Sequence, residues 1–480
     1  MSVPTGMVAA EARLRVYESY RELFASAPIR LMSRTVSTMR SMGYPDPATA
    51  IGDLDWRTVP AGDSEDPSLR EEWGELLAAA FGHVDSWLRQ LTDQPMGYNL
   101  ESVGYRSLTR AWAGMWRFQL GIEFEVGPQT NPQVFVFHGG NQAVQAALLG
   151  VAEAHRERLG ARIPCTVLAA IPTFSCPLDQ MALQNMQVWL LQPTQPGMDP
   201  SAEALERVPQ GVDVDGVYLQ PVNNPTGRTV PPEQLRALIA AVLDRWPHAG
   251  VILDSVYVRL HPRGREILSW FNEDPRFADA IMFVDSLSKT HGVTGLRAGA
   301  LLTRSRRLTA GVNRYAQNIM AGPSNVTQAV MLALLAPFAF GDEELCERRV
   351  RLQTRIGRHL QRRRALLLRQ IFDRYGEYFD AAQPVLPDPV DFDWEGSMYA
   401  DIRLAESCLE LARRYDVSSP AVALYLETGI GGVSLDGFCR NPSLTRYGLA
   451  LNGDHPELEA YLEETRRHVR LSFGMTPPPR

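Results

Sequence analysis

The stretch Ile281-Met282-Phe283-Val284-Asp285-Ser286-Leu287-Ser288-Lys289-Thr290-His291-Gly292-Val293-Thr294-Gly295-Leu296-Arg297 carries both a fold signal and a chemical one. Its first four residues form a short apolar run of the kind found in buried strands. Lys289 follows directly, so its amine is expected at the carboxyl end of a strand, where open α/β sheets bind their ligands. Ser286 and Ser288 offer hydroxyls, and Arg297 offers a permanent charge. That grouping beside a nucleophilic amine suits a phosphate anchored next to a carbonyl.

Lys289 is also the only lysine in 480 residues, against 47 arginines. A guanidinium stays protonated at working pH and is no nucleophile, whereas a lysine amine can lose its proton and attack a carbonyl. Composition alone leaves drift open as an explanation; the neighbours of Lys289 argue for a catalytic amine.

Outward from this stretch, short apolar runs recur at 134–137, 167–171, 188–191, 217–219, 251–253, 281–284 and 300–302. Helical patterns lie between several of them, as at 143–154 and 232–243. This alternation predicts an α/β domain on a mainly parallel seven-stranded sheet flanked by helices. Residues 1–96 read as mostly helical. The arginine-rich stretch 348–374 reads as a long helix with Ile356, Leu360, Leu367 and Ile371 on one face and a solvated face of arginines.

Several of these runs end on groups that carry chemistry. Asn223-Asn224-Pro225-Thr226-Gly227 follows one run, and by itself reads as a turn. Asp254 closes another, with Tyr257 three residues on; alone, Asp254 reads as a helix N-cap. His138-Gly139-Gly140-Asn141-Gln142 leads from a strand into a helix, offering free backbone amides to an anion. Pro172-Thr173-Phe174 follows a further run, and Val469-Arg470-Leu471-Ser472-Phe473 lies near the C-terminus.

Taken in their order along the chain, over roughly residues 97–475, these motifs resemble the fold-type I, class I/II aminotransferases. The lysine segment is similar to that family's S-x-S-K-x-x-G-x-x-G-x-R signature. The others are similar to its N-P-T-G loop, D-x-x-Y, phosphate cradle, P-x-aromatic element and R-aliphatic-S-F ending. The resemblance implies pyridoxal 5'-phosphate (PLP), held by Lys289 as a Schiff base. It makes Ser286, Ser288, Arg297, Gly140, Asn141 and Gln142 phosphate contacts, and stacks Phe174 on the pyridine ring. Asp254 would pair with the ring nitrogen, Asn224 and Tyr257 would bond the 3'-oxygen, and Arg470 would grip a substrate α-carboxylate. Tyr98, with Tyr105 as its rival, would reach the phosphate of a neighbouring subunit. His291 is a second candidate for proton transfer beside a structural role.

The resemblance further implies an aspartate aminotransferase-like fold. Residues 97–340 would form the large PLP-binding domain and 341–480 a smaller α+β domain, with 1–96 part of it or packed on it. A homodimer acting on an amino acid is expected. Transamination is the first expectation. Elimination or decarboxylation-linked chemistry, as in natural-product pathways such as antibiotic biosynthesis, uses the same motifs. A PLP-sensing transcription regulator would need a basic N-terminus, but residues 1–95 hold nine arginines against 14 acidic residues. The net charge of −7 argues against nucleic-acid or membrane partners. The 12-residue apolar run 329–340 is too short to span a bilayer. Five scattered cysteines without a CxxC predict no metal site and a cytoplasmic protein.

Overall fold

The computed structural model describes residues 67–94, 97, 101–127, 131–193, 199–380, 398–428, 430–439 and 441–472. Tyr98 and the 381–394 loop lie outside the described residues.

All seven apolar runs are strands of one sheet: β1 Val134–Phe137, β2 Thr166–Ala170, β3 Gln187–Leu191, β4 Gly216–Leu219, β5 Gly250–Asp254, β6 Ile281–Ser286 and β7 Gly299–Thr303. Their order is β1-β7-β6-β5-β4-β2-β3. Neighbours from β6 to β3 run parallel, while β7 is antiparallel to both β6 and β1. Side chains alternate across a strand, and here both faces are covered, which explains continuous apolar runs rather than apolar–polar alternation.

In β6, Ile281 and Phe283 join one buried cluster with Val217, Leu253, Leu302 and Trp116; Met282 and Val284 join the other with Phe135, Ile252, Ala147 and Leu308. The second face is roofed by α4 Gly140–Leu159, α5 Ser175–Leu183 and α7 Arg306–Tyr315. The first is roofed by α3 Arg106–Leu120, α6 Pro232–Arg245 and α8 Asn325–Phe340. Each buried Leu, Ile or Phe contributes about 1.5–3 kcal/mol.

The N-terminal helices α1 Pro67–Gly82 and α2 Val84–Leu91 belong to the described part of 1–96. They pack on α8 of the large layer, and α1 also meets the helix that follows it. Leu69, Leu76 and Ala80 join the large-sheet core there, and Glu72 pairs with Arg348 and Arg355 of the following helix.

That helix, α9 Glu343–Tyr375, runs 33 residues, about 50 Å. Leu352, Ile356 and Leu360 sit in the large core, while Leu368 and Ile371 sit in a second one. The second core belongs to a three-stranded antiparallel sheet of β8 Tyr399–Arg403, β9 Val433–Ser434 and β10 His468–Ser472, in the order β8-β10-β9. Helices α10 Glu406–Arg414 and α11 Pro420–Thr428 contribute Cys408 and Leu424 to it. No helix among the described residues is long and apolar enough to cross a membrane.

Candidate active site

One cleft lies at the carboxyl ends of β4, β5 and β6. It is lined by Gly140, Asn141, Phe174, Gln220, Asn224, Asp254, Tyr257, Ser286, Ser288, Lys289, Thr294 and Arg297. Ten of the sequence-derived candidates therefore meet in one place.

The lysine turn is tightly built. Ser286 caps the short helix Leu287–Thr290: its Oγ accepts from the Ser288 N–H at 3.0 Å and donates to the Ala298 carbonyl at 2.7 Å. Its hydroxyl is thus occupied by the fold, whereas the buried Ser288 Oγ has no hydrogen-bond partner. Beneath the turn, the buried Arg259 donates from Nε to Asp285 Oδ2 at 2.7 Å, and its Nη2 reaches the Thr290 hydroxyl at 3.3 Å. His291 is buried beside it, with Nδ1 2.9 Å from Thr290 Oγ1. Burial, then the charges of Arg259 and Arg349, push the His291 pKa down to about 3. It is a neutral structural imidazole that does not line the cleft.

At one end of the cleft the Gly139–Gly140 turn meets Arg297. Gly139 adopts φ 85° and ψ 165°, a region essentially closed to other residues. A Cβ on Gly139 would lie 2.5 Å from Arg297 Nη2, and one on Gly140 would lie 3.0 Å from Val256. The first turn of α4, the Arg297 guanidinium, Ser288 Oγ and the unpartnered Asn141 Oδ1 define this polar end. Gln142 Oε1 accepts from the His138 N–H at 2.8 Å.

At the other end Asp254 is buried. Its Oδ2 accepts from Tyr218 Oη at 2.7 Å and from Gln220 Nε2 at 3.3 Å. Burial, together with the nearby charge of Asp285, raises its pKa despite those hydrogen bonds. Gln220 also accepts from the Asn224 N–H at 3.2 Å, linking the Asp254 and Asn224 loops. Tyr218 and Gln220 escaped the sequence reading. Their spacing of two, one in β4 and the other just past its end, places both on the face of Asp254, which is the signal that marks them.

Arg470 enters from β10. Its Nη1 donates to Asn224 Oδ1 at 3.0 Å, and its guanidinium lies between the rings of Tyr399 and Phe438, at 4.8 and 4.7 Å. Tyr399 and Phe438 were also missed, since nothing local in the chain ties them to the motifs. Tyr105, the rival of Tyr98, donates its hydroxyl to Asn325 at 3.2 Å. Away from the cleft, His155, Cys165 and Asp215 approach one another at the amino ends of β2 and β4. Arg158 bonds both Asp215 and Asp213 there and already supplies a cation.

The cleft fits an elongated group with an anion at one end and a protonated ring nitrogen at the other. The unpartnered Ser288 hydroxyl, the Arg297 guanidinium and the glycine-only turn favour the anion, and buried Asp254 favours the cation.

Residues 131–364 match the family model described as aminotransferase class I and II. The chain is similar to histidinol-phosphate aminotransferase 1 of Psychrobacter arcticus, with 30% identity over 134 residues. That alignment spans 28% of this chain and 30% of that protein, less than a third of either. Among solved structures it is similar to a double mutant of Thermus thermophilus aspartate aminotransferase, with TM-score 0.59 and 18% identity over 95% of each chain. It is also similar to N-succinyldiaminopimelate aminotransferase of Mycobacterium tuberculosis, with TM-score 0.56 and 19% identity over 86% of each chain. At these identities the structural likeness speaks to the fold, which is aspartate aminotransferase-like.

Proposed function

We propose that this chain, which belongs to the class I and II aminotransferase family through residues 131–364, is a PLP-dependent aminotransferase acting on the α-amino group of an amino acid. The observation that carries this reading is the meeting of Lys289, Asp254, Asn224 and the Gly139–Gly140 turn in one cleft. Pyridoxal phosphate, when bound, supplies a carbonyl for the amine and an electron sink for the substrate α-carbon.

The chain's own residues do the rest. Lys289 holds the cofactor and, once displaced by substrate, moves the proton at the substrate α-carbon as a general base. Asp254, fixed by Tyr218 and Gln220, keeps the ring nitrogen protonated. Gly140, Asn141, Ser288 and Arg297 take the phosphate, Phe174 faces the ring, and Tyr257 and the Asn224 amide take the 3'-oxygen. Arg470, aimed by Asn224, takes the α-carboxylate as a two-pronged donor.

The chain is read as a homodimer, and Tyr98 is the better candidate for the neighbouring site because the Tyr105 hydroxyl already serves Asn325. Its five free cysteines support a reducing, cytoplasmic setting. Elimination and decarboxylation gain no support from the family match or the relatives named above. The test is to incubate cofactor-loaded protein with a panel of amino acids and no acceptor. One keto acid per site, with loss of the visible cofactor band, is the expected result. Continuous release of ammonia or carbon dioxide would contradict transamination.

A further inference from the structure

Tyr399 begins β8 of the small sheet, remote in sequence from every motif of the cleft, and is only 7% exposed. Its backbone is seated by the large unit. The Tyr399 carbonyl accepts from Arg364 Nη1 at 3.1 Å, and Gly227 makes room for it, since a Cβ there would lie 2.1 Å from that oxygen. Two residues on, the Asp401 N–H donates to the Thr226 carbonyl at 3.3 Å. The N-P-T-G loop therefore sets where the phenol sits.

The side chain touches both ends of the chemistry proposed above. Tyr257 Oη donates to Tyr399 Oη at 3.1 Å, with the two rings edge to face at 5.7 Å. The Lys289 amine lies within hydrogen-bonding reach of the same oxygen. The ring, in turn, lies against the Arg470 guanidinium.

We propose that Tyr399 is a two-sided positioning residue: its oxygen takes hydrogen bonds from Lys289 and Tyr257 and so aims the amine, while its ring supports the Arg470 guanidinium that meets the substrate carboxylate. This rests on the roles of Lys289 and Arg470 given above. The electrostatics agree with the direction of the hydrogen bonds. Burial alone would push the Tyr399 phenol up, but the charges of Lys289 and Arg470 and the donated hydrogen bonds outweigh it and hold it below the usual value. Tyr257 is pushed well up by burial and by Tyr399, so its proton stays and is donated.

The test separates hydroxyl from ring with Tyr399→Phe and Tyr399→Leu. In cofactor-free protein, the time profile of Lys289 modification by trinitrobenzenesulfonate at one fixed pH is read by peptide mass, unambiguous because the chain has no other lysine. Tyr399→Phe is expected to change the rate of that modification about threefold or more. In loaded protein it should lower kcat about tenfold, leaving KM within about twofold. Tyr399→Leu should in addition raise KM by about 3- to 10-fold as Arg470 loses its aromatic support. An unchanged profile and unchanged kcat in Tyr399→Phe would overturn the proposal, whether or not the Leu variant folds. So would KM and kcat effects in both variants that merely track a fall in thermal stability. If no amino acid is transaminated but the modification profile still moves, the hold on Lys289 stands and the aminotransferase reading fails.

Discussion

Arg470 Nη1 donates to Asn224 Oδ1 across 3.0 Å, joining the last strand of the small sheet to the loop after β4 of the large one. Arg470→Ala removes the carboxylate donor and also leaves Asn224 without this partner. Loss of hydrogen bonds to a charged group costs about 1.5–3 kcal/mol, so KM for an α-amino acid should rise roughly 10- to 150-fold. Amines lacking an α-carboxylate should be nearly indifferent to the change. Steady-state kinetics with matched substrates checks both.

Asp254→Asn should divide stability from function. The buried carboxylate has a raised pKa, so its charged form is disfavoured in the folded chain at neutral pH. Replacing it by a neutral group of the same shape should leave the cofactor-free protein at least as stable at pH 7, as read from its denaturant midpoint. The same change should lower kcat on the order of 100- to 1,000-fold, because the ring nitrogen loses its counter-charge. A large fall in stability with normal kcat would refute this role.

Gly139 and Gly299 should respond differently to alanine. At Gly139 the added Cβ meets the movable end of Arg297 at 2.5 Å, on a backbone with φ 85°. The chain should fold with weakened cofactor affinity, on the order of tenfold. At Gly299 the Cβ meets the Gly139 carbonyl carbon, also at 2.5 Å, and backbone cannot step aside. There the loss should fall on folding stability itself, about 1–3 kcal/mol. Cofactor titration beside denaturant unfolding distinguishes the two.

Much of this architecture was legible in the chain. Strands such as β6 are buried on both faces, so their apolar runs are continuous and end where the sheet ends, with Asp254 and Ser286 at the rim. Hydroxyls were less legible, because Ser286 and Ser288 look alike in sequence. Only the fold shows that Ser286 is taken up by Ala298 and Ser288 is not. Tyr399 and Phe438 were illegible for a different reason. They reach the cleft through the pairing of β8 with β10 and of β10 with β9, contacts between segments far apart in the chain. Glutamine at 142 fits the anion cradle by position, and only the fold shows that its amide oxygen is taken by the His138 N–H.

His468 predicts a pH dependence of the small sheet. Burial alone would lower its pKa, but the hydrogen bond and charge of Asp401, 3.0 Å from Nδ1, and the charge of Glu464 raise it above the ordinary 6.5. A raised folded-state value means that the stabilisation is complete below about pH 6 and is lost as pH rises through that value. His468→Gln should flatten this part of the stability profile between about pH 6 and 8. Denaturant melts across that range test it, and an unchanged slope would contradict it.

In the proposed enzyme Lys289 bonds the cofactor, and as the sole lysine it makes that bond directly measurable. Borohydride reduction of the cofactor-loaded protein should fix one phosphopyridoxyl group on Lys289. After denaturation, a protease that cuts after lysine should then leave the reduced chain whole while splitting the untreated chain once, since no other lysine exists. A reduced chain still cut at Lys289, or a label found on another residue, would contradict the account.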